Sequence, residues 1–355
     1  MKSNISKTYG SLAVCLLGTL LFLAPACKKN SSSTPHPQNL LPDSAGANAT
    51  LYLTGSGLGE VTSIVFSNGN VPAPFNPNFN TDGAVIFRVP DTALGGPQNI
   101  VFTNKAGTKF TVPFNVRAFP AVTTVSNYDY NPGDTLTLTG SNFELVTNVG
   151  LRGSSAAVSI LSKSHHTLQL KMPANSLSRS NLVITNPTGS DTTSQEFINI
   201  TNSFVIFANG NYGANIVNGS WGPATISSAV QLTHYPTFAA TYQKGNWSAD
   251  GFAYWSAPYF PTDPSYTYFS FWVYGAAVSE TYYITSTDAA KGYGNADVSN
   301  PIVIPPNTWT YFKLPIQKLG ITANTSGTFQ QLGWYIQGPN AADETLYFDD
   351  VLFVK

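Results

Sequence analysis

Six tryptophans occur in the chain, and all of them, Trp221, Trp247, Trp255, Trp272, Trp309 and Trp334, lie beyond Asn202. The faces of indole and phenol rings are electron-rich, and the C–H groups of a pyranose ring pack against them, so rings left outside a core are candidate sugar platforms. Trp221 lies in Asn218-Gly219-Ser220-Trp221-Gly222-Pro223, whose small residues leave an indole uncovered. Tyr254 and Trp255 adjoin between Gly251 and Pro258. Adjacent side chains of a regular strand point to opposite faces, so at least one of that pair faces outward. Trp247, in Lys244-Gly245-Asn246-Trp247-Ser248, is a third ring in a turn-like setting. In the run Tyr268 to Tyr274, alternation puts Phe269, Phe271 and Val273 in a core. Trp272 then falls on the other face, which lines a concave surface or forms a second buried layer. Trp309, which opens a strand, and Trp334, which shares a face with Leu332 and Ile336, are expected in the core. Gln243, Lys244, Asn246 and Asp250 are nearby polar groups suited to reading sugar hydroxyls.

Catalytic and metal chemistry have less to work with. A glycosidase needs two carboxylates about 5 to 10 Å apart, and the conspicuous acidic pair, Asp349-Asp350, sits on a terminal strand where neighbours should point apart. Asp250, Asp263, Glu280 and Asp297 are scattered acids. The histidines, His36, His165, His166 and His234, form no Cys/His metal spacing and no Ser/His/Asp set. A non-enzymatic, cofactor-free protein is expected. The Asp-Asp-Val ending resembles the last strand of carbohydrate-binding modules, which implies either a hydrogen-bonding role or a structural Ca²⁺.

The elements that must carry these residues read as strands throughout, and the fold class is all-β. Leu51-Tyr52-Leu53-Thr54-Gly55-Ser56-Gly57-Leu58 is repeated at Leu136-Thr137-Leu138-Thr139-Gly140-Ser141-Asn142-Phe143. Phe87-Arg88-Val89-Pro90 returns as Leu170-Lys171-Met172-Pro173, and Ile100-Val101-Phe102-Thr103-Asn104 as Leu182-Val183-Ile184-Thr185-Asn186. Each copy shows short alternating runs bounded by Gly, Pro, Asn and Ser, which predicts two small β-sandwiches, over 38–118 and 119–200. Gly55 and Gly140 mark backbone bends that a side chain would resist. The motif resembles that of IPT/TIG domains, immunoglobulin-like modules whose usual tandem role is that of spacers. From about residue 201 to 355 the short strands become aromatic-rich and predict a jelly-roll sandwich of the carbohydrate-binding kind.

A Trp in a Gly/Ser turn followed by a Tyr-Trp pair, above tandem IPT/TIG-like modules, resembles the surface glycan-binding protein B family of Bacteroidetes. That resemblance implies a non-catalytic receptor for a polysaccharide, xyloglucan or another plant or algal β-glycan, with Trp221, Tyr254 and Trp255 as its platform. It also implies a partner transporter and partner surface hydrolases. A protein-binding adhesin, or a glycoside hydrolase, are the alternatives.

The N-terminus fits that placement. Lys2 and Lys7 precede an apolar run, Leu12 to Leu23, too short for a spanning helix, and then Ala24-Pro25-Ala26-Cys27. The order is that of a secretory signal over 1–26, and its end resembles the lipobox of bacterial lipoproteins, which makes Cys27 the lipidated residue of an outer-membrane, surface-exposed protein. Residues 27–37 read as a flexible tether. The other cysteine, Cys15, lies within the signal, so the mature chain is expected to hold its sandwiches without a disulfide. Charged residues are only 10% of the chain, with 17 basic against 18 acidic, and no basic stripe exists to meet a phosphate backbone. Nucleic acid is therefore excluded as a partner, and a neutral, hydroxyl-rich ligand suits such a surface.

Overall fold

The computed structural model describes residues 34–256, 260, 263–287, 292–294, 299, 301–319, 330–336 and 341–355. Cys27 and Asp297 lie outside the described residues. Strands and short 3-10 turns make up the regular structure, so the all-β expectation holds. Two compact units emerge. The first comprises residues up to Ala93 with Pro97–Val116, and the second Leu94–Gly96 with Arg117–Lys355.

In the first unit a three-stranded sheet, His36–Leu41, Thr50–Ser56 and Ala84–Arg88, meets a five-stranded one built around Val61–Phe66 and Gly96–Asn104. Alternation decides what is buried: Leu51, Leu53, Val85 and Phe87 from one sheet and Ile64, Phe66, Ile100 and Phe102 from the other are fully enclosed. Phe87 and Phe102 touch edge to face at 5.4 Å across the layers.

The second copy of the motif behaves alike. Leu136 and Leu138 on Thr135–Ser141, Leu168 and Leu170 on Thr167–Lys171, and Leu182 and Ile184 on Leu182–Asn186 enter one core. Both motif glycines stand where a neighbouring strand crosses close. A Cβ at Gly55 would lie 2.3 Å from the His36 carbonyl oxygen, and one at Gly140 only 1.9 Å from that of Ala121. Strand register shifts beside each contact, between Pro37 and Asn39 and between Thr139 and Gly140. Two residues later Gly57 (φ 69°) and Asn142 (φ 63°) take the left-handed conformation that these two residue types tolerate best.

The C-terminal part of the second unit is a sandwich of two sheets. One is centred on the long strand Glu344–Val354, which pairs with Phe204–Ala208 and Thr237–Tyr242 on one side and with Tyr268–Tyr274 on the other. Its partner has the order Val217–Asn218, Ser248–Ala253, Gln331–Ile336, Glu280–Ser286, Pro301–Ile304. Between them Trp334 stacks on Phe348 with centroids 3.9 Å apart, and Phe238 meets Phe252 at 4.5 Å. Trp334 is thus a core residue, as its alternation requires. Trp309 is not: it is half-buried against Tyr274 on the face away from that core, because it shares its strand parity with Tyr311 rather than with Phe312.

Candidate functional site: an aromatic face on the C-terminal sandwich

The register of the five-stranded sheet sorts its side chains into two faces. Phe252, Leu332, Trp334, Ile336, Tyr282 and Ile284 point into the core. The alternate positions, Ala249, Gly251 and Ala253, lie level with Tyr335, Gly333 and Gln331, and Tyr283 and Thr285 follow on the next strand. Gly219 and Trp221 extend this layer beyond Val217–Asn218, their N–H groups donating to the carbonyls of Gly251 and Ala249 at 3.0 Å each. Trp221 is therefore on the outer face, level with Ala249. Trp247 and Trp255 bracket Ser248–Ala253 at the same parity.

These three indoles are the exposed ones: Trp221 55%, Trp247 56% and Trp255 53%. The positions between them on this face are small and buried: Ala249, Gly251, Ala253, Gly219 and Gly333. If the backbone stays extended, eight residues at about 3.3 Å place Trp247 and Trp255 about 26 Å apart. Trp221 stands edge-on to Tyr293, at 5.8 Å and 82°, and Trp247 leans on Tyr335 at 6.0 Å. Gly294 clears the seat for the Trp221 ring, since a Cβ there would lie 2.1 Å from its Cη2. Among the described residues of this outer layer none carries a formal charge at neutral pH.

The aromatic residues named from the sequence thus separate into different places. Tyr254 does not join the outer face. It packs edge-on to Phe260 at 6.1 Å on the core side, and its hydroxyl accepts from Asn215 Nδ2 at 3.3 Å. Trp272 is a correction to the expectation of a platform ring. It lies on the non-core face of its strand, but the second sandwich covers that face: Tyr128 stacks on it at 5.8 Å and 9°, Tyr311 flanks it at 5.0 Å, and only 6% of it is exposed. Of the polar candidates, Asp250 is fully buried and out of reach of a ligand. Gln243, Lys244 and Asn246 form the exposed turn before Trp247, where Asn246 Nδ2 donates to Gln243 Oε1 at 3.3 Å and the Lys244 N–H donates to Asp343 at 2.8 Å. Tyr283, Tyr293 and Tyr335, beneath the indoles, were not singled out from sequence. Their signal was present in the same-face alternation of Tyr283 with Thr285 and of Tyr335 with Gly333, read once pairing is known.

The acidic pair also behaves differently from a regular strand. Asp350 has a φ of 45°, and this kink turns both carboxylates toward the joint with the second sandwich instead of to opposite faces. Asp349 accepts the Asp350 N–H at 2.9 Å, and Asp350 accepts Asn127 Nδ2 at 2.9 Å. Asp129 from the second sandwich is buried beside them. Burial raises the pKa of all three, and their mutual repulsion raises those of Asp129 and Asp349 further. Among the described residues no group of three His, Cys, Asp or Glu side chains is placed to hold a metal ion. The pair serves as hydrogen-bonding groups of the joint.

No protein-family model matches the chain, and no curated protein matches it in sequence. Its fold is nevertheless similar to that of a solved surface glycan-binding protein. The surface glycan-binding protein B of Prevotella bryantii superposes with a TM-score of 0.53 over 91% of this chain and 99% of that one, at 16% identity. The surface glycan-binding protein B from a complex xyloglucan utilization locus in Bacteroides uniformis covers the same shares, 91% and 99%, at 15% identity and a TM-score of 0.41. At these identities the likeness is one of fold.

Proposed function

We propose that this chain is a non-catalytic cell-surface protein that captures a neutral β-glycan, xyloglucan or a related glucan, by stacking it on Trp221, Trp247 and Trp255. The observation that carries the reading is the set of three half-exposed indoles on one sheet face whose described residues carry no charge. A pyranose ring packs its C–H groups on an indole, and several such rings on one face suit a chain of sugars. The fold shared with a surface glycan-binding protein supports it. Gln331, on the same face, and Gln243 and Asn246, beside Trp247, supply neutral donors and acceptors for hydroxyls.

In this reading Cys27 carries the lipid that anchors the chain to the outer membrane, the residues from there to Pro35 are the tether, since His36 opens the first strand, and the two repeated sandwiches are spacers. The glycan is held for surface hydrolases and a transporter. The test is electrophoresis of the mature protein through gels containing xyloglucan, mixed-linkage glucan, xylan or mannan, with a reducing-sugar assay alongside. Retardation in a neutral β-glycan without sugar release is expected. Release of sugar would make it a hydrolase, and no retardation in any gel would favour a protein-binding adhesin.

A further inference from the structure

Trp221 protrudes from a short Gly-rich turn, a poor way to hold a large ring still, and the sheet beneath that turn contains a buried carboxylate that no surface role explains. Asp250 lies on the core side of Ser248–Ala253 and is fully enclosed. Its Oδ1 accepts the N–H of Gly222 at 2.7 Å and its Oδ2 accepts the Ser248 hydroxyl at 2.9 Å. Gly222 is the residue after Trp221. It fits there because it lacks a side chain: a Cβ would come 2.9 Å from the Thr241 carbonyl oxygen and 3.2 Å from both Asp250 oxygens.

Backbone bonds fix the preceding side of the turn. Gly219 and Trp221 donate to Gly251 and Ala249, and Ser220 Oγ accepts the Gly251 N–H at 3.0 Å. On the following side the Pro223 carbonyl accepts the Thr241 N–H at 2.8 Å. Asp250 therefore closes the one amide between these fixed sides. Burying a carboxylate is costly, and burial raises its pKa while the bonds from Gly222 and Ser248 hold it down. Tyr242, Tyr282 and Tyr293 surround it, and each phenol is pushed further up by its charge. A polar group kept in such a place acts through what it orders.

We infer that Asp250 is a positioning residue for ligand capture: through Gly222 it sets the angle at which Trp221 presents its ring to the glycan. This rests on the glycan reading above but can fail separately from it. The experiment uses the mature chain labelled with 5-fluorotryptophan. The Trp221 resonance is assigned from Trp221→Phe, and Asp250→Ala is compared with Asp250→Asn, whose side-chain oxygen still accepts from Gly222.

In Asp250→Ala the Trp221 signal should shift or broaden while that of Trp272, enclosed on the far face of the other sheet, stays in place, and affinity for xyloglucan should fall about tenfold, the weight of one stacking ring. Asp250→Asn should restore the signal and bring affinity to within about twofold of the parent. An unmoved Trp221 signal in Asp250→Ala, a Trp272 signal that moves equally, or an Asn variant no better than Ala would each overturn the inference. A parent protein that binds no glycan, with the Trp221 signal still responding to Asp250→Ala, would sustain the positioning role and sink the functional reading.

Discussion

An indole left half in water forgoes burial that would stabilise the fold, and three on one sheet face leave apolar surface uncovered. Trp221, Trp247 and Trp255 should accordingly be replaceable at little cost to stability. Their Ala variants are expected to unfold within about 0.5 kcal/mol of the parent in urea titrations. Trp272 is the contrast. Enclosed between Tyr128 and Tyr311, it should cost about 3 to 5 kcal/mol when cut to Ala, and the three exposed rings should remain where they are. A loss below about 1 kcal/mol would mean the joint does not depend on it. Gly and Ser around Trp221 made its exposure legible from sequence alone. The sides taken by Tyr254 and Trp255 were not, since adjacency says that two rings diverge but not which one turns inward. Trp272 stood open between a concave surface and a second buried layer, the one it forms, for another reason. Alternation gives the face of a strand, and only tertiary contact decides whether sugar, water or another domain covers that face.

At the level of elements, the repeat carried most of the fold in advance. Leu-x-Leu followed by Gly recurs with both leucines enclosed and the glycine under a crossing strand, so pattern and packing agree in both copies. Gly140→Ala puts a methyl group against the Ala121 carbonyl with no flexible side chain to yield. It should destabilise the second unit by at least about 2 kcal/mol, read as a drop in thermal midpoint. An unchanged midpoint would show that the edge strand moves freely. The strand bearing Asp349 and Asp350 was the less legible element. A two-residue period sends its neighbours apart, and the φ of 45° at Asp350 breaks that period with a residue type that gives no strong warning of it.

Across the second unit, the joint between its two sandwiches is polar as well as aromatic. Arg179 and Lys313 both pair with Glu196, the former at 2.9 Å, and both cations lie over the Tyr268 ring. Beside them the buried carboxylates make the joint sensitive to pH. Asp350 is pushed up to about 6 and Asp349 to about 8, from an ordinary 3.8. A raised carboxylate favours the folded state in its protonated form, so this contribution is full below the ordinary value and is lost as pH rises through the raised ones. The thermal midpoint should fall between about pH 4 and 8, and Asp349→Asn should flatten the upper part of that fall. An identical slope in the variant would remove Asp349 from the account. The central claim concerns the uncharged face with its three indoles, and calorimetric titration of xyloglucan into the mature protein and its Trp221→Ala/Trp247→Ala/Trp255→Ala variant tests it most directly. The account predicts saturable binding by the parent and none by the triple variant, with thermal midpoints alike; equal binding by the two proteins would contradict it.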